Sequence, residues 1–337
     1  MITMTTPPET SPSLREWLDS KPHIMPLLWL IVLMLGQMIA VNFYLGLWRY
    51  GELGIHQAFL VYVIPTTVIL WCILGAKGWL QRIDPADTAL CLLALFVLLI
   101  TFPALKAAIP WIVPYRYDGL LLSLEKTLHF GAYPYDLLRF LHTEIAITVL
   151  SFCYYVFFFL CCLALVAISF LPAGTYHREA FLIAFIATWH LNGAILAPLF
   201  SSVGPIYLEE FYNGQLANPF QADIASLCAM SSTTCDIRDW LLEMYRYGPV
   251  FDLNGPSAMP SLHIACTFLF ALYAQRAFPR LAPIGWLFFV AIFVASIVLQ
   301  WHYALDAYVA MISTGLIWWA SLWWGKRHQR SLNDKTA

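Results

Sequence analysis

From Leu281 to Trp324 the chain runs 44 residues with almost no polar side chain, and this stretch limits what it can fold into more than any other. As a single helix it would extend about 66 Å at about 1.5 Å per residue, roughly twice the thickness of a bilayer's hydrocarbon core. It must therefore turn back, and its one polar cluster, Gln300-Trp301-His302-Tyr303-Ala304-Leu305-Asp306, marks the turn. The expected structure is a hairpin of two spans, its tip at a membrane surface and Asp306 in the first turn of the final helix. His302 and Asp306 then share a helical face, where the carboxylate accepts a hydrogen bond from the ring and fixes its tautomer. Titratable side chains at membrane depth are costly and are kept there by function or by a partner, so this pair is the first candidate site.

Composition extends the argument to the whole chain. Of its 337 residues 61% are hydrophobic and 11% are charged, against about 25% charged in an ordinary soluble domain. An all-α polytopic membrane protein follows. A net charge of −2 offers no basic surface for nucleic acid, so membrane lipids are the expected partners. Six of the eight cysteines lie in apolar runs; only Cys228 and Cys235 fall in a polar loop, where a disulfide would form if the loop faces an oxidising compartment. No Cys/His spacing points to a metal, and no cofactor is expected.

Spans are expected at 24–46, 56–75, 88–113, 144–171, 179–200, 257–279, 282–300 and 303–324. Residues 1–22 and 325–337 would be tails, 23–113 an N-terminal set of helices and 114–324 the catalytic membrane domain. Eight spans put both ends on one side. Counting Lys and Arg with the ends taken as cytoplasmic gives 11 on that side and 6 on the other, with Lys106 left inside a span. By the positive-inside rule the His302 tip then faces outward, which in a bacterium means the periplasm. Residues 114–142 are too polar to span, yet Leu120, Leu121, Leu124 and Leu128 recur at helical spacing, as in a helix lying in the interface. Asp118 and Glu125 are two turns apart and are expected to share one face. The long outward loop 201–256 carries turn signals at Gly204-Pro205, Asn213-Gly214 and Asn254-Gly255-Pro256.

After that loop comes Ser257-Ala258-Met259-Pro260-Ser261-Leu262-His263 and then an apolar helix. Proline suits a first turn and serine can cap it, and a helix start with free N–H groups attracts anions. Two histidines, one with a carboxylate, beside an anion-binding helix start point to phosphoryl transfer.

Pro260-Ser261-Leu262-His263, followed 39 residues on by His302-Tyr303-x-x-Asp306, resembles the second and third motifs of the type 2 phosphatidic acid phosphatase superfamily. Together with Tyr117-Asp118-x-Leu120 and Leu128-His129-Phe130-Gly131-x-x-Pro134, it is most similar to the branch containing inositol phosphorylceramide synthases. The resemblance covers roughly 115–320 and implies a six-helix lipid phosphatase or phosphotransferase core working without metal through a phosphohistidine. His302 would be the nucleophile, Asp306 its orienting carboxylate and His263 the acid and then the base. The superfamily's Lys-x6-Arg-Pro motif is absent, and Ala295 and Ser296 stand where a Ser-Arg pair is usual. Phosphate-neutralising charge is expected instead from Arg116, Arg139 or Arg246 and the helix start. Asp118, Arg116, Ser261, Arg246 and Tyr303 are the candidate substrate-binding residues. His129 and His142 are expected to be interfacial, and His190 with Asn192 a polar contact inside the bundle. The alternatives are a glycosyltransferase using a polyprenyl donor with Asp118 as base, and a lipid transporter without catalysis.

Overall fold

A computed structural model describes residues 21, 23–44, 68, 83–172, 175–247 and 256–336. Every regular element among them is helical. Long apolar helices stand at seven of the eight expected positions: α1 (Ile24–Tyr44), α2 (Pro85–Ile112), α5 (Glu144–Ser169), α6 (Tyr176–Leu199), α10 (Leu262–Ala277), α11 (Ala282–Val298) and α12 (Ala304–Thr336). Between them lie α3 (Asp118–Leu128), α4 (Pro134–Leu138), α7 (Leu208–Tyr212), α8 (Gln221–Met230) and α9 (Ser232–Tyr247). The expected span 56–75 falls outside the described residues apart from Val68, as do the tail 1–20 and the Asn254-Gly255 turn. Four helices are long and apolar enough to cross a bilayer unaided, Ile24–Val41, Glu144–Ser169, Tyr176–Leu199 and Ala304–His328, and shorter apolar helical stretches cover Pro85–Leu99 and Ala282–Val298. The chain is thus a multi-pass integral membrane protein.

Caps set the boundaries where the residue types predict. Asp84 accepts from the amides of Ala86 and Asp87 ahead of Pro85, Thr143 caps α5, and Ser261 accepts from Ile264 at 3.4 Å at the start of α10. The long apolar run does turn back: α11 ends at Val298, Gln300 takes a left-handed conformation (φ 61°), and α12 starts at Ala304. The core is built by α12 along α6, α10 against α11, α11 against α5, and α1 against α2.

Helix lengths set the depth of the site. The 16 residues of α10 and 17 of α11 rise only about 24–26 Å, whereas the 26 of α5 rise about 39 Å. The segments that open α10 and α12 are therefore recessed below the ends of α2 and α5. The hairpin tip lies inside this recess instead of at the rim, and Tyr303 and Asp306 are fully buried.

The interfacial helix α3 is oriented by its acids. Asp118, Leu121, Leu122 and Glu125 are buried, while Leu120, Leu124 and Leu128 are exposed. Leu121 therefore departs from the leucine face expected from spacing. In water the polar face would point out; here the carboxylates turn inward to protein donors and three leucines face outward, as lipid contact requires. Glu125 accepts from the Leu305 amide at 3.1 Å in the first turn of α12, and His129 bridges the Glu125 carbonyl (2.7 Å) and the Tyr308 hydroxyl (2.9 Å). Asp118 gathers the amides of Val203 and Gly204 (both 3.0 Å at the nearer oxygen) and the hydroxyls of Tyr212 (3.0 Å) and Tyr303 (2.9 Å).

Far from this end, α1, α2 and α6 are joined by buried charges. The His23 ring lies 2.6 Å from Asp87 and 3.3 Å from Glu179, and Arg178 donates to Asp87 at 2.8 Å. Burial opposes charge on His23, but its hydrogen bonds to Asp87, Cys91 and Glu179 push the imidazole up to about 10, so it is protonated. Two cations and two carboxylates then balance without water. The Cys228–Cys235 pair in the long loop is a disulfide with Cα atoms 5.4 Å apart.

Two outcomes follow from the packing around α3 and the tip. Gly204 sits at φ +88° with its Cβ position 2.6 Å from the Trp301 carbonyl oxygen, so Gly204→Ala should cost about 1–3 kcal/mol for the backbone alone, plus the overlap. A lowered melting temperature in detergent checks it. For Glu125, burial first and then the nearby Asp306 charge raise the carboxyl to about 7, against a model value of 4.5. A raised acid contributes stability that is present below pH 4.5 and lost as pH rises through about 7. Glu125→Gln, which keeps an acceptor for Leu305, should therefore gain thermal stability over wild type at pH 8 and little at pH 4.5. Equal differences at both pH values would contradict the assignment.

Candidate active site

Three short segments converge at the bottom of the recess. Segment 201–207 is tied to 258–259 by the Ala258 amide on the Ser202 carbonyl (3.0 Å) and the Met259 amide on Ser202 Oγ (3.3 Å). It is tied to the hairpin tip by the Ile206 amide on the Gln300 carbonyl at 2.9 Å, and the Ser261 amide donates to the Asp306 carbonyl at 3.3 Å. Because Asp118 holds Val203, Gly204 and Tyr303 together, α3 is part of the same assembly.

Within this frame His302 Nδ1 lies 3.2 Å from Asp306 Oδ2, which also accepts from the Tyr303 amide at 3.0 Å. The pairing places the proton on Nδ1 and leaves Nε2 with its lone pair. Burial, reinforced by the positive charge of Lys106 and opposed by the Ala258 carbonyl, lowers the His302 imidazole to about 3, so the ring is neutral and nucleophilic at ordinary pH. Asp306 Oδ1 is buried without a protein donor among the described residues.

His263, in the first turn of α10, sits with its ring centroid 6.3 Å from that of His302. Its other side is packed by α5: Tyr154 stacks on it at 4.2 Å and donates or accepts at Nδ1 (3.3 Å), Phe157 lies at 4.7 Å and Phe158 at 5.2 Å. Two imidazoles thus face one small space beside the α10 N-terminus, whose first amides point toward it.

His263, His302, Asp306, Ser261 and Tyr303 come together as a cluster, with Asp118 directly behind. Tyr303 uses its hydroxyl on Asp118 and Ser261 caps α10. Asp118 is buried, and although burial pushes its carboxyl up, its four donors pull it back. The arginines are placed elsewhere. Arg139 is committed to Asp223 (2.9 Å) and Asp136 (3.5 Å), Arg116 is exposed with its guanidinium 5.2 Å from the Tyr117 ring, and Arg246 is exposed in the last turn of α9. His142 bonds the Tyr135 hydroxyl at 2.8 Å. Asn192 accepts from Ser313 at 2.6 Å and donates to Thr314 at 3.4 Å, the interhelical contact its position implies. Ser296, in place of an arginine, donates to its own helix at the Ile292 carbonyl.

Two neighbours of the histidines escaped the sequence reading. Tyr154 is one aromatic among many in α5, and nothing in the pattern singles it out. Lys106 did carry a signal, a lone cation inside a span, but no spacing ties it to residues 157 and 196 positions further on.

For a metal, the described residues offer one group, His23, Asp87 and Cys91, with ligand atoms within 4.8 Å of one another. The Arg178 guanidinium, 2.8 Å from Asp87 and 3.7 Å from Cys91 Sγ, already supplies the positive charge there. The group lies at the other end of the bundle from the histidines.

Neither the curated proteins nor the solved structures gave a match to the chain. A family model described as the PAP2 superfamily matches residues 119–320, which contain both histidines, Asp306 and more than half of the chain. Its members are phosphatases and phosphotransferases, the chemistry for which a neutral, carboxylate-oriented histidine facing a second histidine is built, and the chain belongs to this superfamily.

Proposed function

We propose that the protein is a lipid phosphotransferase or phosphatase that works through a phosphohistidine and needs no metal, with a membrane phospholipid or polyprenyl phosphoester as donor. The observation that carries this reading is the facing pair of rings, one oriented by a buried carboxylate. Attack by Nε2 at about 3–3.5 Å from phosphorus and a hydrogen bond of about 2.8 Å to the leaving oxygen are compatible with rings 6.3 Å apart. His302 Nε2 forms the N–P bond as the P–O bond to the lipid alcohol breaks, and His263 delivers the proton to that oxygen. In the second half His263 removes a proton from water or an acceptor hydroxyl, whose oxygen takes the phosphoryl group and frees His302. Asp306 offsets the positive charge on the attacking ring.

Lateral entry from the bilayer is supported by Phe158, which is 52% exposed on the outer surface of α5 while its ring lies 5.2 Å from that of His263. One aromatic ring separates the site from lipid. An outward-facing site is supported by the charge count and by the disulfide in the loop at the same end. The inositolphosphotransferase branch is the finer reading; it rests on the motif Tyr117 to Pro134, whose acids here serve to hold α3 against the tip. The glycosyltransferase alternative is disfavoured because the oxygens of Asp118 are taken by four protein donors.

Incubating purified protein with labelled lipid phosphoesters in EDTA should give turnover and an acid-labile, base-stable phosphoenzyme. His302→Ala should abolish both, and His263→Gln should slow turnover by about 10²–10⁴-fold. Undiminished turnover in His302→Ala, or none in wild type until metal is added, would sink the mechanism.

A further inference from the structure

A phosphoryl group in transfer carries negative charge on its equatorial oxygens, and in a water-poor recess that charge needs a fixed cation. None of the three outward arginines reaches the histidines. We propose that Lys106, in a helix outside the stretch 119–320 that the family model matches, is the cation that receives the phosphoryl oxygens between His263 and His302. This rests on the phosphotransfer reading of the site.

Depth is the first support. Lys106 lies seven residues before the α2 C-cap at Val113, about 10 Å below the helix end. On α5, Tyr154 lies 11 residues beyond the cap Thr143, about 16 Å down, and Tyr154 is stacked on His263. Lys106 is therefore at the level of the recess. The second support is anchoring. One turn before Lys106, Phe102 packs edge-on against Trp189 at 4.6 Å, and a Cβ at Gly193 would overlap its ring. That contact fixes this face of α2 against α6. At the other end, Ser201 donates to the Val113 carbonyl at 3.2 Å, tying α2 to the segment that frames the site.

The third support is what surrounds the ammonium. Its charge bears on both imidazoles, and among the described residues it has neither a carboxylate nor a hydrogen-bond partner. The other deeply buried cations here, Arg178 and His23, are each paired with acids. A lysine that merely extends toward the nearest interface, as long cations in spans commonly do, would have no reason to direct its charge at two histidines. The α10 N-terminus faces the same space, so an anion held there would meet a helix start, a lysine and two rings.

The test uses full-length protein with inorganic vanadate as the anion probe, in Lys106→Met, which keeps length and removes charge, and Lys106→Arg, which keeps charge. Lys106→Gln serves as a second neutral variant if the methionine form does not purify. Loss of one charged contact should weaken vanadate inhibition and raise KM for a lipid phosphoester by about 10–100-fold in the neutral variants, with Lys106→Arg within a few-fold of wild type. Because the cation also lowers His302, the acid limb of the kcat/KM profile should move to higher pH in Lys106→Met, which a purely structural lysine would not cause. Wild-type vanadate inhibition together with an unmoved acid limb in the neutral variants overturns the assignment. The two readings fail separately. If the phosphoenzyme forms but is indifferent to Lys106, only this inference falls. If no phosphoester is turned over yet vanadate binding depends on Lys106, the anion site stands and the phosphotransfer reading falls.

Discussion

A carboxylate at membrane depth has to collect donors, and the way Asp118 meets that demand organises the catalytic end of the molecule. An ionised acid in an apolar medium is costly unless hydrogen-bonded. Asp118 meets the requirement with two backbone amides from 203–204 and two tyrosine hydroxyls, one from α7 and one from the hairpin tip. Those four donors come from segments distant in sequence that have no other reason to meet. Once they are gathered, Gly204 lies against the Trp301 carbonyl, Ile206 is bonded to Gln300, and the left-handed turn at Gln300 is held from both sides. Glu125 repeats the device one layer along, on the first turn of α12. The two acids act as couplings between an interfacial helix and the start of the last span, and His302 is carried between them.

This coupling explains why the nucleophile pair is rigid. Asp306 has its oxygen Oδ2 shared between the Tyr303 amide and the His302 ring, so the ring is oriented by a group that is itself oriented by backbone. On the opposite side His263 is wedged among Tyr154, Phe157 and Phe158, leaving it little rotational freedom. Pre-organised donors and acceptors of this kind are worth most where water is scarce, since no reorganisation is needed as charge moves.

Much of the frame was legible in the residues. The length of the run to Trp324 required a hairpin, Pro and Ser marked the α10 start, and the disulfide followed from two cysteines alone in a polar loop. The PAP2 assignment was legible too, because its motif residues sit at the two turns. What the pattern could not give was the sign of a face. Periodicity placed Asp118 and Glu125 together on α3 but is silent on whether acids or leucines point inward; in lipid the answer inverts the aqueous rule, and Leu121 went with the acids. It also assigned charge to Arg116, Arg139 and Arg246 because they stand in outward loops, whereas the pairing of Arg139 with Asp223 depends on a contact 84 residues away. Depth was equally hidden: only the unequal lengths of α10, α11 and α5 show that the tip is recessed.

Recess depth bears on the choice between hydrolysis and transfer. The catalytic groups do not discriminate between water and a lipid hydroxyl as the second acceptor; access does. His302 is 8% exposed and Asp306 is fully buried, so bulk water does not bathe the nucleophile, while the aromatic wall of α5 leaves the site one ring from the bilayer. A phosphohistidine formed there would be protected from water and adjacent to lipid-borne hydroxyls. The local concentration of the acceptor would then be set by the membrane, and a transferase would arise from the same residues that in a wetter recess would make a phosphatase.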